Sequence, residues 1–316
     1  MEYQKPRIEF YRQRTFSEKL NAIFDFIREN WKPLLKYSFY LIMPICLVQT
    51  FAINSFAEIY INLLSSTNGR MFDSTVSNNF FSFFANYGIM MFCLFIGTAI
   101  LSAMIYAMMQ TYAIRENRLQ DITLNDFKDL LVKNIWKYII ILIVLVFVFI
   151  IITFLATLFI VIISTVSNFV ATLLTLAIML CLVPSMIIIP IYIFERDINI
   201  FDAIKKTWIL GTKTIWGMLG LFITLYIIAG LIQTVTMMPW YLALIGGSIF
   251  SISTDTALAN SVTYKFALYL LGLIQSFGMY LSMTIGIIGL AFQYFHAREK
   301  VEGVTIESNI SKFDEL

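Results

Sequence analysis

The chain has 316 residues, of which 59% are hydrophobic and only 13% charged, with a net charge of +2. Soluble domains carry about 25% charged residues, so these proportions exclude an ordinary water-soluble fold and favour one solvated by lipid. So small a net charge, with no Lys/Arg-rich block interleaved with aromatics, also excludes nucleic acid as a partner.

Residues 1–33 form a charged, amphipathic cytoplasmic segment rather than a secretory signal, because no short apolar run with a small-residue cleavage site occurs there. Thr15 followed by Glu18 reads as a capping box, in which side-chain oxygens satisfy the orphan N–H groups of a helix start. Phe16, Leu20, Ile23 and Ile27 then recur at helical spacing up to Trp31. The first span covers about 34–62 and holds Pro44, Gln49, Asn54 and, near its outer end, Glu58. The second covers 82–113 and carries Gln110. Each reaches the roughly 20 residues that cross ~30 Å of hydrocarbon.

The pattern then repeats. Thr123 and Asp126 open a second amphipathic stretch with Phe127, Leu130 and Leu131, ending at Trp136. Spans 138–164 and 168–194 follow, separated by the polar cluster 164–168, which suits a tight hairpin; one helix over both would outrun any bilayer. Pro184 and Pro190 interrupt the fourth span, and Glu195 ends it. Asn199 and Asp202 open a third amphipathic stretch with Ile200, Phe201, Ile204 and Trp208. Trp216 starts the fifth span, 215–238, which contains Gln233 and is expected to end at Met237-Met-Pro239-Trp240. The apolar segment to about 263, with Gly246-Gly247, reads as a re-entrant or interfacial element. The last span, 264–297, carries Gln275, Gln293, His296, Ser276 and Ser282, with Gly272, Gly278, Gly286 and Gly289 suited to close helix packing, within the chain or against a partner or second copy. Residues 298–316 form a cytoplasmic tail.

Orientation follows from charge. Of the 22 Lys and Arg residues, 20 fall on one side of a six-span layout, and only Arg70 and Lys265 fall on the other. The positive-inside rule names the crowded side cytoplasmic, which places both termini there. The expected fold is therefore all-α and polytopic: six transmembrane helices as three hairpins, each preceded by an amphipathic helix ending in or beside Trp31, Trp136, Trp208 or Trp216. These helices either lie in the headgroup layer, with the tryptophans as interfacial anchors, or pack together as a cytoplasmic cap.

The stretch from Pro190 through Glu195, Ala203, Thr207, Trp208 and Trp216 resembles the membrane domain attached to some bacterial glycerophosphoryl diester phosphodiesterases, and related uncharacterised multi-pass proteins. There a Pro-containing span ends in an acidic residue, an Ala–x–x–x–Ser–Trp helix follows, and a second aromatic opens the next span. Ala203, Trp208 and Trp216 match, with Thr207 where Ser is usual. The opening that ends Glu29-Asn30-Trp31-Lys32-Pro33 is similar to uncharacterised membrane proteins of Bacteroidota. The resemblance implies a fold and a bacterial inner membrane. It implies no activity, since that chemistry belongs to a separate barrel with paired histidines, carboxylates and a metal, and this chain has one histidine.

No phosphate loop, GxSxG elbow or HExxH motif occurs, and Cys46, Cys93 and Cys181 stand apart inside apolar spans as small buried hydrophobes, so no enzyme, cofactor or metal is expected. The expected function is a non-catalytic membrane component, a scaffold, anchor or subunit of an envelope complex in contact with membrane lipids. The alternative is a carrier or lipid-handling protein with a site among the hairpins, between spans one, four and five. The candidate polar cavity for that alternative is Gln49, Asn54, Gln233 and Gln275; hydrogen bonds between helices account for the same residues equally well. A membrane-embedded enzyme would need Glu58, Glu195 or His296 to converge.

Overall fold

A computed structural model describes residues 6–65, 74–164, 167–195, 198–252 and 261–305. The elements are α1 (Phe16–Ser65), α2 (Ser74–Ile114), α3 (Leu124–Ser164), α4 (Asn168–Leu182), a 3₁₀ turn (Val183–Ile187), α5 (Ile188–Phe194), α6 (Ile200–Lys213), α7 (Ile215–Ile252) and α8 (Val262–Glu302). No strand occurs among the described residues. Six helical stretches, with α4 to α5 counted as one, are long and apolar enough to cross a membrane, so the chain is an all-α, multi-pass membrane protein.

Two of the three expected caps form. Glu18 Oε2 accepts the Thr15 N–H at 2.7 Å, and Asp126 Oδ2 accepts the Thr123 N–H at 2.7 Å. The third does not: Asn199 makes no side-chain cap bond, and α6 starts on its backbone carbonyl alone. Replacing Thr15 by Ala is expected to cost about 1 kcal/mol, and Asn199→Ala almost nothing, read as paired thermal melts in one detergent.

The amphipathic stretches relate to their spans in three ways. The first runs straight into α1, with a kink at Asn30 (φ −115°, ψ 18°). Pro33 explains it: the ring has no N–H for the Glu29 carbonyl and crowds it. The second continues into α3 without a break, and only the third is a separate helix, ended at Thr214. α7 runs through Pro239 to Ile252, past the expected end of the fifth span. Trp240 is the reason: its ring packs with Ile53, Ala57 and Leu268, and its indole N–H donates to Asn54 Oδ1 at 2.8 Å. Tertiary contacts there outweigh one missing backbone hydrogen bond. The segment beyond, 253–260, lies outside the described residues, as do 165–166 of the expected hairpin turn.

The chain divides into two compact units. One comprises the chain up to Pro33, Ser102–Leu225 and the stretch from Ile285 onward; the other comprises Leu34–Leu101 and Tyr226–Thr284. The first is built on an aromatic core. Phe10 stacks on Phe295 (centroids 5.1 Å apart, 9° between planes), and Phe26, Tyr112 and Phe292 close around it. Such pairs add about 0.5–1.5 kcal/mol each beyond area burial. They hold the extended arm of residues 6–14 against α1, α2 and α8.

In the first unit α6 packs on the 3₁₀ turn at Gly211, where a Cβ would lie 2.6 Å from Pro184 Cβ and 2.8 Å from Pro184 Cα. Gly→Ala in an open helix gains about 1 kcal/mol, but overpacking against backbone that cannot yield costs about 1–3 kcal/mol. The second effect wins, so Gly211→Ala is expected to lower thermal stability. Gly230→Ala, with nothing within 4 Å, is expected to raise it.

The second unit is held by small residues and interhelical hydrogen bonds. The Tyr280 hydroxyl lies 2.6 Å from Gln49 Oε1 and 3.1 Å from the Cys93 carbonyl, on a glycine, Gly97, whose Cβ would collide with the Tyr280 ring. Gly272 faces Thr50, Asn54 and Trp240 at 2.8–3.3 Å, and Gly278 faces Thr236. Gly289, in the first unit, faces Leu225, whereas Gly286 has nothing within 4 Å of a built Cβ. In lipid, where apolar burial between helices gains little, close approach and hydrogen bonds supply the association.

Candidate functional site

Polar chemistry concentrates in the first unit. α5 ends at Phe194, and Glu195 leaves it in extended conformation (φ −84°, ψ 134°). Lys137, on α3, donates to the Tyr192 carbonyl at 2.9 Å and the Glu195 carbonyl at 3.2 Å, placing a cation on the negative end of α5. The Glu195 carboxylate is 10% exposed and serves two further elements, α6 and α8. Its Oε1 lies 2.7 Å from Lys206 Nζ on α6, accepts the Tyr294 hydroxyl of α8 at 3.2 Å, and lies 3.8 Å from Arg298 Nε. Glu302 closes the cluster, 2.8 Å from Lys206 and 3.0 Å from Arg298. Two cations and two carboxylates balance, so the cluster is a clasp rather than a free base.

A second buried group is Lys19. It is 3% exposed, and its Nζ donates to Gln293 Oε1 at 2.9 Å; Gln293 Nε2 in turn donates to Thr214 Oγ1 at 3.3 Å. Neighbouring Arg14 is buried too, its guanidinium donating to the Phe10 carbonyl at 2.9 Å and to the Glu9 carbonyl, and burial holds its pKa below the ordinary arginine value. The Arg14 backbone N–H donates to His296 Nδ1 at 3.0 Å. Arg118 in the α2–α3 turn pairs with Glu29 at 2.7 Å, a hydrogen bond that raises the pKa of the guanidinium. The same Glu29 lies 3.3 Å from the Tyr112 hydroxyl.

Between α2, α3, α5 and the arm lies a crevice of about 230 Å³. Gln110 and Asn134 meet there, with Asn134 Nδ2 donating to Gln110 Oε1 at 3.1 Å and Gln110 Nε2 lying 3.5 Å from the Ile193 carbonyl. Lys133, Lys137 and Glu195 supply its charge, and Met109, Leu130, Phe194 and Phe295 are among its apolar walls.

The residues expected to line a polar cavity sit elsewhere, in the second unit. Gln49, Asn54 and Gln275 are engaged with Tyr280, Trp240 and Ser276 respectively, and Thr50 links to Ser276 at 3.1 Å. Gln233 is half-buried on α7. The anchors Trp31, Trp136, Trp208 and Trp216 are all more than half exposed. Cys46 and Cys93 are buried, while Cys181 is exposed on apolar α4. The Glu58 side chain lies outside the described residues, and Glu195 and His296 have separate partners. No three of His, Cys, Asp and Glu converge as metal ligands among the described residues.

Two features escape a reading of the sequence: the Gln110–Asn134 pair and the Glu195 clasp. A signal for the first exists in Leu130, Asn134 and Lys137, spaced on one helix face just before the apolar run of α3. The clasp joins residues far apart in the chain and leaves no local pattern. No protein-family model, curated protein or solved structure matches the chain.

Proposed function

We propose that the chain is a non-catalytic integral component of a cell-envelope assembly in a bacterial cytoplasmic membrane, with both termini on the cytoplasmic side. The observation that carries this reading is the α3–α4 hairpin. Its two helices pack on each other, yet Phe147, Phe154, Phe159, Phe169, Leu173 and Met179 are half or more exposed. A helix apolar all round needs lipid or further helices on every side. The outward tryptophans and α6, which turns Phe201, Ile204 and Trp208 outward and Ala203, Thr207 and Gly211 inward, support helices resting in the headgroup layer. The resemblance of 190–217 to phosphodiesterase-associated membrane domains fits the same reading.

A photo-reactive amino acid at Phe154 or Leu173, with purification from native membranes in mild detergent, tests it. One partner chain in fixed stoichiometry, cross-linked at these positions and not at Lys205, is the expected result. A monomer cross-linked to lipid alone overturns it. The crevice beside Gln110 favours a second reading, lipid handling, for which transfer of labelled lipid between vesicles by the reconstituted protein is the measurement.

A further inference from the structure

We infer that the crevice between α2, α3 and α5 is a binding site for a phosphate-bearing anion, presented as an anionic phospholipid headgroup or as a free phosphate ester. At about 230 Å³ it is smaller than the roughly 300–1,000 Å³ of pockets that enclose whole small molecules, and so is sized for a headgroup.

Its charge favours an anion. Lys133 and Lys137 lie one helical turn apart on α3 and both line the crevice. Lys133 is exposed and makes no ion pair among the described residues. The carboxylate at the rim, Glu195, is already matched by Lys206 and Arg298, neither of which lines the crevice, so exposed Lys133 gives the field there its positive sign. Gln110 adds a neutral donor: its amide nitrogen carries two N–H groups, and the Ile193 carbonyl takes at most one.

Depth favours a lipid as the carrier of that phosphate. The lysines stand where the polar part of α3 gives way to its apolar run from Tyr138, with the exposed Trp136 between them. That is the level at which basic residues between transmembrane helices meet headgroups. Leu130 and Met109 offer an apolar wall to the start of an acyl chain. The site holds whether or not the chain belongs to an assembly.

The full-length protein in nanodiscs of phosphatidylcholine with a minor share of phosphatidylglycerol provides the test, by native mass spectrometry of retained lipid. Wild type is expected to retain phosphatidylglycerol above its share, and Lys133→Gln to lower that enrichment about five-fold, the factor for one lysine near an anionic surface. Leu130→Trp, which fills the crevice without changing charge, should do the same, and Lys205→Gln, an exposed lysine elsewhere, should not. Each variant is scored only if its melting temperature matches wild type, and the two independent substitutions guard against one misfolding. Enrichment insensitive to added inorganic phosphate or glycerol phosphate assigns a lipid headgroup; displacement by either assigns a free phosphate. No enrichment in wild type together with no displaceable phosphate, or enrichment unchanged in both Lys133→Gln and Leu130→Trp, overturns the site.

Discussion

Glu195→Ala is expected to destabilise the protein by about 3 kcal/mol, the usual scale for removing one partner from a buried ion pair. The side chain is the joint acceptor for α6 and for two residues of α8, and its loss leaves Lys206 and Arg298 sharing Glu302 alone. Tyr294, nearly fully buried, also loses its carboxylate acceptor. Glu195→Gln keeps an acceptor oxygen but removes the charge, so it should fall about midway. Lys206 is 21% exposed, and without it Glu195 keeps Tyr294 and Arg298 while Glu302 keeps Arg298, so Lys206→Met should cost less than Glu195→Ala. Unfolding in mixed micelles of mild and denaturing detergent gives the comparison. Equal stability of wild type and Glu195→Ala would show that α5, α6 and α8 are held by packing alone.

Gln293→Leu is expected to cost a similar amount, about 3 kcal/mol, for a different reason. The Lys19 ammonium has lost nearly all contact with water, and Gln293 is its acceptor among the described residues. Taking that oxygen away leaves a desolvated charge with no compensation, and the Thr214 hydroxyl loses the amide that donates to it as well. Lys19→Met removes the charge itself while keeping an unbranched apolar stem, so it should be neutral or stabilising by about 1 kcal/mol. The double variant should therefore recover most of the loss from Gln293→Leu. Additive effects of the two substitutions would mean that the ammonium finds water or another acceptor, and would sink this account of the pair.

The helix starts at Thr15 and Thr123 were legible because a capping box is local chemistry, complete within four residues. Asn199 satisfied the same pattern and made no cap, since composition permits a cap without setting the side-chain rotamer. The amphipathic period in 16–27 was legible, but its buried face was not. Lys19, Ala22, Ile23, Phe26 and Asn30 face inward, while Phe16 is exposed. Hydrophobicity names the face that avoids water, and next to a bilayer that face can turn to lipid as readily as to protein. In α6, Ala203, Thr207, Leu210 and Gly211 pack inward, while Phe201, Ile204 and Trp208 point out.

The polar residues at helical depth divide in the same way. Gln49, Asn54, Gln110, Gln275 and Gln293 were each visible as polar groups needing partners in an apolar span, and each has one. Which partner, and whether the pair closes a core or edges a crevice, depends on contacts between residues up to 274 positions apart.

The sequence by itself determined that this is an all-α, multi-pass membrane protein with six crossing helices, because run length and hydropathy act along the chain and the bilayer imposes one thickness on every span. Only the tertiary structure decided that α7 survives Pro239. It also decided that Glu195 is a clasp, and that the lysines of α3 open onto a crevice. Each of these turns on a geometry between helices, where a single glycine or an amide within hydrogen-bond reach outweighs the local preference of the chain.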